Sequence, residues 1–434
     1  MRSKFHCLVM LSEVIPQSVL FGNPDKAEPK LSPNGTQYAY LANSDKGVLN
    51  VFVQALGDEA PAAKQITNDT HRGIRMFEWA KNNKCVLYLQ DADGDENWHI
   101  YAADLATGVV RDMTPFQGIR ADNLKTDKNF PDEAIVGLNV RDRSAFDLYR
   151  LDLVTGALVF HTTNPGNVSQ WLVDADFRVR GCVANDQKDG SKILKVRDTE
   201  SDEWREIASW PNEETAQFYR FTADGTGIFV ATSMAHGAGD ERDTTRLVIL
   251  SAKDGSEVRE LFFDARCDID EVIFNDAHEV EAVVVDYDKQ EWKVQKNIAA
   301  DIQALLSVCT GTLRITSRST DDAVWIVSDM RDDGSPRYFL YTRANRSATL
   351  LFLARPALEA YTLVKMSSHV ITTSDGEKMV VLRTLPSGLD PVRLPLVLLV
   401  HGGPWARDHW GWNAQAQWLS NRGYACLMVN FRAR

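Results

Sequence analysis

The chain has 434 residues, 44% of them apolar and 25% charged, an ordinary globular composition at a length that predicts two units rather than one. A formal charge of -12 without any lysine- or arginine-rich cluster argues against nucleic acid and anionic membrane as partners. No apolar run approaches the ~20 residues of a membrane helix, and six scattered cysteines without a Cys-x-x-Cys pair predict free thiols in a reducing cytoplasm.

Residues 1–24 read as an N-terminal segment, whose apolar stretch at 7–11 is too short for a signal sequence. From there the chain repeats itself. Ile100-Tyr101-Ala102-Ala103-Asp104-Leu105-Ala106-Thr107-Gly108 recurs 48 positions later as Leu148-Tyr149-Arg150-Leu151-Asp152-Leu153-Val154-Thr155-Gly156. Weaker copies stand at 50–53, 193–196, 247–250, 292–294 and 338–341. Each reads as an alternating strand closed by a turn in which Thr-Gly or Asp-Gly supplies a positive φ. A second signal is in phase with the first. Ser32-Pro33-Asn34-Gly35 precedes Tyr38-Ala39-Tyr40 as Thr222-Ala223-Asp224-Gly225 precedes Ile228-Phe229-Val230.

Short strands at this period, with almost no helical pattern, predict a mostly β fold: a seven-bladed β-propeller over residues 25–355, with one short helix at 301–307 in its sixth blade. The composition changes after residue 355. A hairpin about Ser374-Asp375-Gly376 is followed by an apolar strand at 395–400 that runs into His401-Gly402-Gly403-Pro404. A helix carrying Trp412, Ala416 and Leu419 comes next, stopped by Gly423, and then a second apolar strand at 424–431. Hairpin, strand, helix, strand is the opening of an α/β sheet with buried parallel strands. An apolar strand delivering His-Gly-Gly is also how an α/β-hydrolase presents one backbone donor of its oxyanion hole.

Three pieces in this order carry a family resemblance: Gly94-Asp95-Glu96-Asn97-Trp98-His99-Ile100-Tyr101, then His401 through Asp408, then Asn421-Arg422-Gly423-Tyr424 with Asn430-Phe431-Arg432. With the repeats before them they resemble the prolyl oligopeptidase family of serine peptidases, nearest its acylaminoacyl-peptidase-like and dipeptidyl-aminopeptidase-like bacterial members. The resemblance runs over nearly the whole chain, from Val19-Leu20-Phe21-Gly22-Asn23-Pro24 onward. It implies a propeller that caps an active site and admits short peptides as substrates. It implies acyl transfer to a serine with a histidine base and an orienting aspartate, without a cofactor or metal.

Of that machinery one donor maps onto the chain, the backbone N–H of Gly403, with His401, Gly402 and Pro404 supporting its turn. Asp95 and Glu96 would neutralise a substrate's amino terminus if they face the propeller mouth; their residue types suit a hydrogen-bonded turn equally well. Arg432 would reach a substrate carbonyl or carboxyl group. His401 and His409 lie eight residues apart with no His-Glu-x-x-His pattern, which argues against zinc. Four tryptophans, Trp405, Trp410, Trp412 and Trp418, suit packing between the two units better than substrate stacking.

Two departures from the family pattern stand out. Where the family continues Asn-Phe-Arg with Gly-Ser, this chain reads Asn430-Phe431-Arg432-Ala433-Arg434, and no Gly-x-Ser-x-Gly elbow occurs anywhere. The expectation is an incomplete α/β-hydrolase domain over 356–434, truncated before the nucleophile, with the triad missing and the chain inactive without a missing C-terminal half. Residues 395–400 would then leave an apolar sheet edge unpaired. The alternative is a non-catalytic β-propeller that binds a peptide or protein.

Overall fold

The computed structural model describes residues 13–57, 61–234, 243–295, 297–403 and 406–431. The fold is mostly β. Seven antiparallel sheets follow one another along the chain, at 27–65, 77–112, 121–162, 168–210, 216–263, 269–294 and 312–353, and each is a simple meander. Six have four strands; the sixth has three among the described residues, and the helix Ala299–Val308 occupies the chain between it and the seventh. That helix is tied to the seventh sheet, where the buried Asp301 carboxylate accepts from the Tyr341 hydroxyl at 2.9 Å and from Arg343 Nη2 at 2.9 Å.

Burial is graded across each sheet. Second strands are covered on both faces, as in Gly227–Thr232, all six of whose residues are buried, and Val280–Asp286, where six of seven are. Outer strands such as Glu257–Phe263 are largely exposed and carry charge. Strands sandwiched between neighbouring sheets read as continuous apolar runs because water reaches neither face.

The repeated motifs are turns built by side-chain acceptors. Asp104 Oδ1 accepts from the amides of Ala106 (3.1 Å) and Thr107 (2.8 Å), and Gly108 follows at φ 72°. Asp152 does the same for Val154 and Thr155, both at 2.8 Å, before Gly156 at φ 80°. Two backbone amides closed by one carboxylate make an Asx turn, so the aspartate matters as much as the Thr-Gly that marks it in sequence. The turns after first strands use a hydroxyl on a short carboxyl or amide: Ser32 on Asn34 at 2.8 Å and Thr222 on Asp224 at 2.6 Å. A further copy, Ser319 on Asp321 at 2.6 Å, escapes the sequence reading because Asp322 (φ 56°) stands where the others have glycine.

The seven sheets pack in a cycle. Separate apolar clusters join the first to the second (Val51, Ile74, Trp79), the second to the third (Leu87, Ile100, Val136) and the third to the fourth (Ile135, Trp171, Phe177). Others join the fourth to the fifth (Leu194, Trp210, Val230), the fifth to the sixth (Leu247, Val283) and the sixth to the seventh (Ala282, Trp325). Leu31, Tyr38 and Tyr40 then pack on Ile326, Tyr338 and Phe352, which brings the seventh sheet back to the first. The chain enters and leaves this array at one place, where Asp25 N donates to Ala354 O at 2.9 Å.

The eighth sheet is mixed. Its hairpin, Met366–Thr372 with Lys378–Thr384, pairs antiparallel with Ala425–Val429, which in turn pairs in parallel with Leu396–Leu399. The helix Ala414–Asn421 covers it through a cluster of Met366, Leu382, Ala416, Cys426 and Met428. This helix begins two residues beyond Trp412, contrary to the sequence reading. Asn413 has extended backbone and its Oδ1 accepts from Ala416 N at 2.9 Å, so the N-cap falls there and Trp412 stays outside.

The described part of the N-terminal segment, from residue 13, packs on this second unit. Ile15 N donates to Asn421 Oδ1 at 2.8 Å, Arg422 Nη2 donates to Ile15 O at 2.9 Å, and Ile15 and Leu20 pack with Leu358, Trp412 and Trp418. No helix among the described residues is long and apolar enough to cross a membrane.

Candidate active site

The strand Leu396–Leu399 lies at the end of the eighth sheet and has no partner on its outer side among the described residues. Its alternate side chains Leu396 and Leu398 are 58% and 54% exposed, and Val400 beyond them is exposed as well. The chain then turns through His401, Gly402 and Gly403; Pro404, Trp405 and Arg432 lie outside the described residues. The His401 ring stacks on Phe431 at 4.3 Å and 10°, which locks the end of this strand to the end of Ala425–Val429. Its Nδ1 is 2.7 Å from Gly402 O. A carbonyl only accepts, so that nitrogen donates, while Nε2 is shielded and has no hydrogen-bond partner among the described residues.

Gly402 and Gly403 are both exposed, and the Gly403 amide donates to nothing among the described residues. An unused N–H at the C-terminal end of a parallel strand, with no side chain in front of it, is available to an incoming oxyanion.

The residues after this turn are held from both sides. Arg407 donates from Nη1 to Asp286 O and from Nη2 to Tyr287 O (2.7 Å), while His409 Nδ1 sits 2.5 Å from Asp286 Oδ2. Toward the eighth sheet, Asp408 N donates to Asn430 Oδ1 at 2.7 Å and Asn430 Nδ2 returns a bond to Asp408 O at 3.0 Å. Trp410 Nε1 donates to Met366 O at 2.7 Å, and Thr312 Oγ1 donates to Trp410 O at 3.1 Å. Lys289 Nζ lies 4.3 Å over the Trp410 ring. Burial raises the Asp408 carboxyl above its ordinary range, an effect that His401, His409 and Arg407 oppose. The described tryptophans of the cluster are engaged in packing: Trp418 meets Phe21 edge to face at 6.5 Å, and Trp412 lies under Arg355 at 5.5 Å.

The contacts above also identify which face of the sheet array meets the second unit. Tyr287 to Lys289, just after the strand-ending Asp286, and Arg331 to Pro336 link second to third strands in the sixth and seventh sheets. Asp332 supplies both a carboxylate to Met366 N (2.7 Å) and a carbonyl to Gln417 Nε2 (2.8 Å). Residues 91–98 are the equivalent link of the second sheet, so Asp95 and Glu96 open on that same face. Asp95 is committed to its own turn. It accepts from Ala92 N (3.2 Å), Asn97 N (3.0 Å) and Asn97 Nδ2 (2.9 Å), and these bonds hold its carboxyl below the usual range. Glu96, at φ 58°, gives its amide to Asp91 Oδ2 at 3.2 Å and leaves its exposed carboxylate without a partner among the described residues.

The sequence reading missed Asp286 and Gln417, and carried Asn430 only as part of a motif, without a role. The one local hint was a carboxylate ending the apolar run Val280–Asp286. No three His, Cys, Asp or Glu side chains among the described residues converge as metal ligands.

Solved peptidases share this fold. A prolyl endopeptidase superposes with a TM-score of 0.68 at 11% identity, over 95% of this chain and 62% of its own. An acylaminoacyl peptidase of Pyrococcus horikoshii gives 0.60 at 13%, over 94% and 65%. No protein-family profile matches. The sequence itself is 35% identical over 432 residues to dipeptidyl aminopeptidase BIII of Pseudoxanthomonas mexicana, covering 97% of this chain and 61% of that protein. The chain belongs to the prolyl oligopeptidase family. Dipeptidyl peptidase family member 6 of Caenorhabditis elegans is 28% identical over 97% of this family member and 61% of its own length. The chain thus spans about three-fifths of the curated relatives it matches.

Proposed function

We propose that this chain is the N-terminal portion of a serine peptidase that removes dipeptides from the amino ends of short peptides through an acyl-enzyme. The observation that carries this reading is the 35% identity to dipeptidyl aminopeptidase BIII across 97% of the chain. In this reading residues 25–355 are a seven-bladed propeller, supported by the cyclic packing of the seven sheets, and it gates substrate access. Residues 356–434, with the N-terminal segment docked on them, are the first part of an α/β-hydrolase domain.

Within that domain Gly403 N–H is one oxyanion donor. The uncovered edge of Leu396–Leu399 is where a further strand, followed by the Gly-x-Ser-x-Gly elbow that this sequence lacks, pairs in the working enzyme. Glu96 meets the substrate's ammonium group. The four buried free thiols, Cys85, Cys182, Cys309 and Cys426, suit a reducing cytoplasm.

The test joins the chain to the C-terminal remainder of a relative. The chain alone is expected to resist fluorophosphonate labelling, and the restored enzyme to release dipeptides from free amino termini. Glu96→Gln in the restored enzyme should raise KM for those substrates at least tenfold with little change in kcat. Labelling of the chain alone that one serine substitution abolishes, or a restored enzyme that labels yet cleaves no peptide, overturns the proposal. The latter outcome favours the binding-propeller alternative.

A further inference from the structure

The peptide that carries the Gly403 amide gets no support from packing. Gly402 and Gly403 are both exposed, and a Cβ placed on Gly402 would meet nothing within 4 Å. A peptide unit flanked by two glycines has no side chain to favour one orientation of its plane, so it flips easily unless something holds it. A flip would matter here. A trans peptide is planar, with its C=O and N–H pointing in opposite directions. Whatever fixes the Gly402 carbonyl therefore also aims the Gly403 N–H.

His401 is the group that fixes it. Its Nδ1 donates to Gly402 O at 2.7 Å. The ring is itself held, because it stacks on Phe431 with centroids 4.3 Å apart and planes 10° from parallel. Nε2 is shielded and has no hydrogen-bond partner among the described residues, so no second bond competes for the orientation of the ring. Phe431 thus acts on the Gly402–Gly403 peptide at one remove, by keeping the imidazole donor in a single place.

The other side of the same segment is fastened to the neighbouring residue. Asp408 N donates to Asn430 Oδ1 at 2.7 Å, and Asn430 Nδ2 donates to Asp408 O at 3.0 Å. A carboxamide offers one acceptor and one donor, as a backbone partner does, and neither a carboxylate nor an apolar side chain can replace it. Asn430 N donates in turn to Val380 O at 3.0 Å, which ties the clamp to the strand Lys378–Thr384 inside the eighth sheet. Residues on both sides of Gly403 are therefore held by two consecutive positions, Asn430 and Phe431, just beyond the strand Ala425–Val429.

We propose that Phe431, through His401, and Asn430, through Asp408, are positioning residues that aim the Gly403 N–H at the oxyanion of the reacting substrate. The oxyanion rests on the peptidase reading of the site; the fixed peptide plane does not. Each half is therefore read by its own measurement.

The first measurement is the Gly403 amide resonance of the whole chain, deuterated, labelled with 15N-glycine, kept dilute enough to be monomeric and assigned by its loss in Gly403→Ala. The parent should give one sharp signal. His401→Phe keeps a ring to stack on Phe431 and removes the donor; Phe431→Leu keeps the donor and removes the stack; Asn430→Leu releases the other side. Each should split the signal or broaden it by exchange in relaxation dispersion, with Gly108 and Gly156 unmoved, and Phe431→Tyr should match the parent. Melting curves check folding, and the two members of the ring pair serve as alternatives if one fails to fold. The second measurement uses the chain joined to the C-terminal remainder of a relative. There Phe431→Leu and His401→Phe should each lower kcat and the rate of fluorophosphonate labelling at least tenfold and leave KM within twofold. A restored parent that never labels counts against the peptidase reading alone, since the resonance is observed without turnover. A Gly403 signal that stays sharp and unshifted in folded His401→Phe and Phe431→Leu, or a labelling restored enzyme in which these variants change KM and spare kcat, overturns the proposal.

Discussion

Asp408 shows how one carboxyl can set the pH response of an interface. Its folded-state pKa lies above the ordinary 3.8, chiefly through burial, so the folded state holds the proton more tightly than the unfolded state. Its contribution is therefore greatest in acid and declines as pH rises from about 3.8 through the raised value. Asp408→Asn should remove that decline. In urea unfolding the variant's midpoint should gain on the parent's between pH 4 and pH 7; a constant difference would contradict the assignment. The residues around it illustrate what a sequence can and cannot convey at this scale. Gly403 and His401 stand out in the sequence because an apolar run ending in two glycines is a local pattern. Arg407 and His409 meet Asp286 and Tyr287 across 120 positions or more, and no local pattern records such a pairing. Asp95 and Glu96, adjacent and alike in charge, divide into a turn acceptor and an unpartnered carboxylate, a distinction that only the hydrogen bonds draw.

Turns and strands were the best-read elements, because their chemistry is short-range. Asp104 and Asp152 sit at the same place in equivalent Asx turns, which is why the motif around them repeats. Less legible were boundaries set by a single side chain, as at Asn413, and the three-stranded sixth sheet among the described residues, which a helix follows. The strand Leu396–Leu399 has a consequence of its own. It combines an outer edge unpaired among the described residues with exposed Leu396, Leu398 and Val400, the combination that templates strand addition. The isolated chain should self-associate with rising concentration. Leu398→Lys should reduce light scattering several-fold while leaving the melting temperature within ~2 °C, since a surface change away from packed contacts moves stability by about 0.5 kcal/mol or less. Unchanged association would point to another surface.

At the scale of the molecule, a repeat period announced stacked sheets, yet nothing local announced that the N-terminal segment returns to the last helix. Ile15 and Leu20 are ordinary apolar residues in sequence, and their partners Leu358, Trp412 and Trp418 lie more than 300 positions away. Removing residues 13–22 should speed hydrogen exchange in 414–429 at least tenfold and leave the strands of 121–263 unaffected. Equal loss of protection in both regions would mean that the two units unfold as one. The bond from Asp25 to Ala354 gives this arrangement a wider meaning. A body whose two ends emerge side by side is plugged into its host like a cassette, so it can be lengthened, reshaped or exchanged without re-routing the chain on either side.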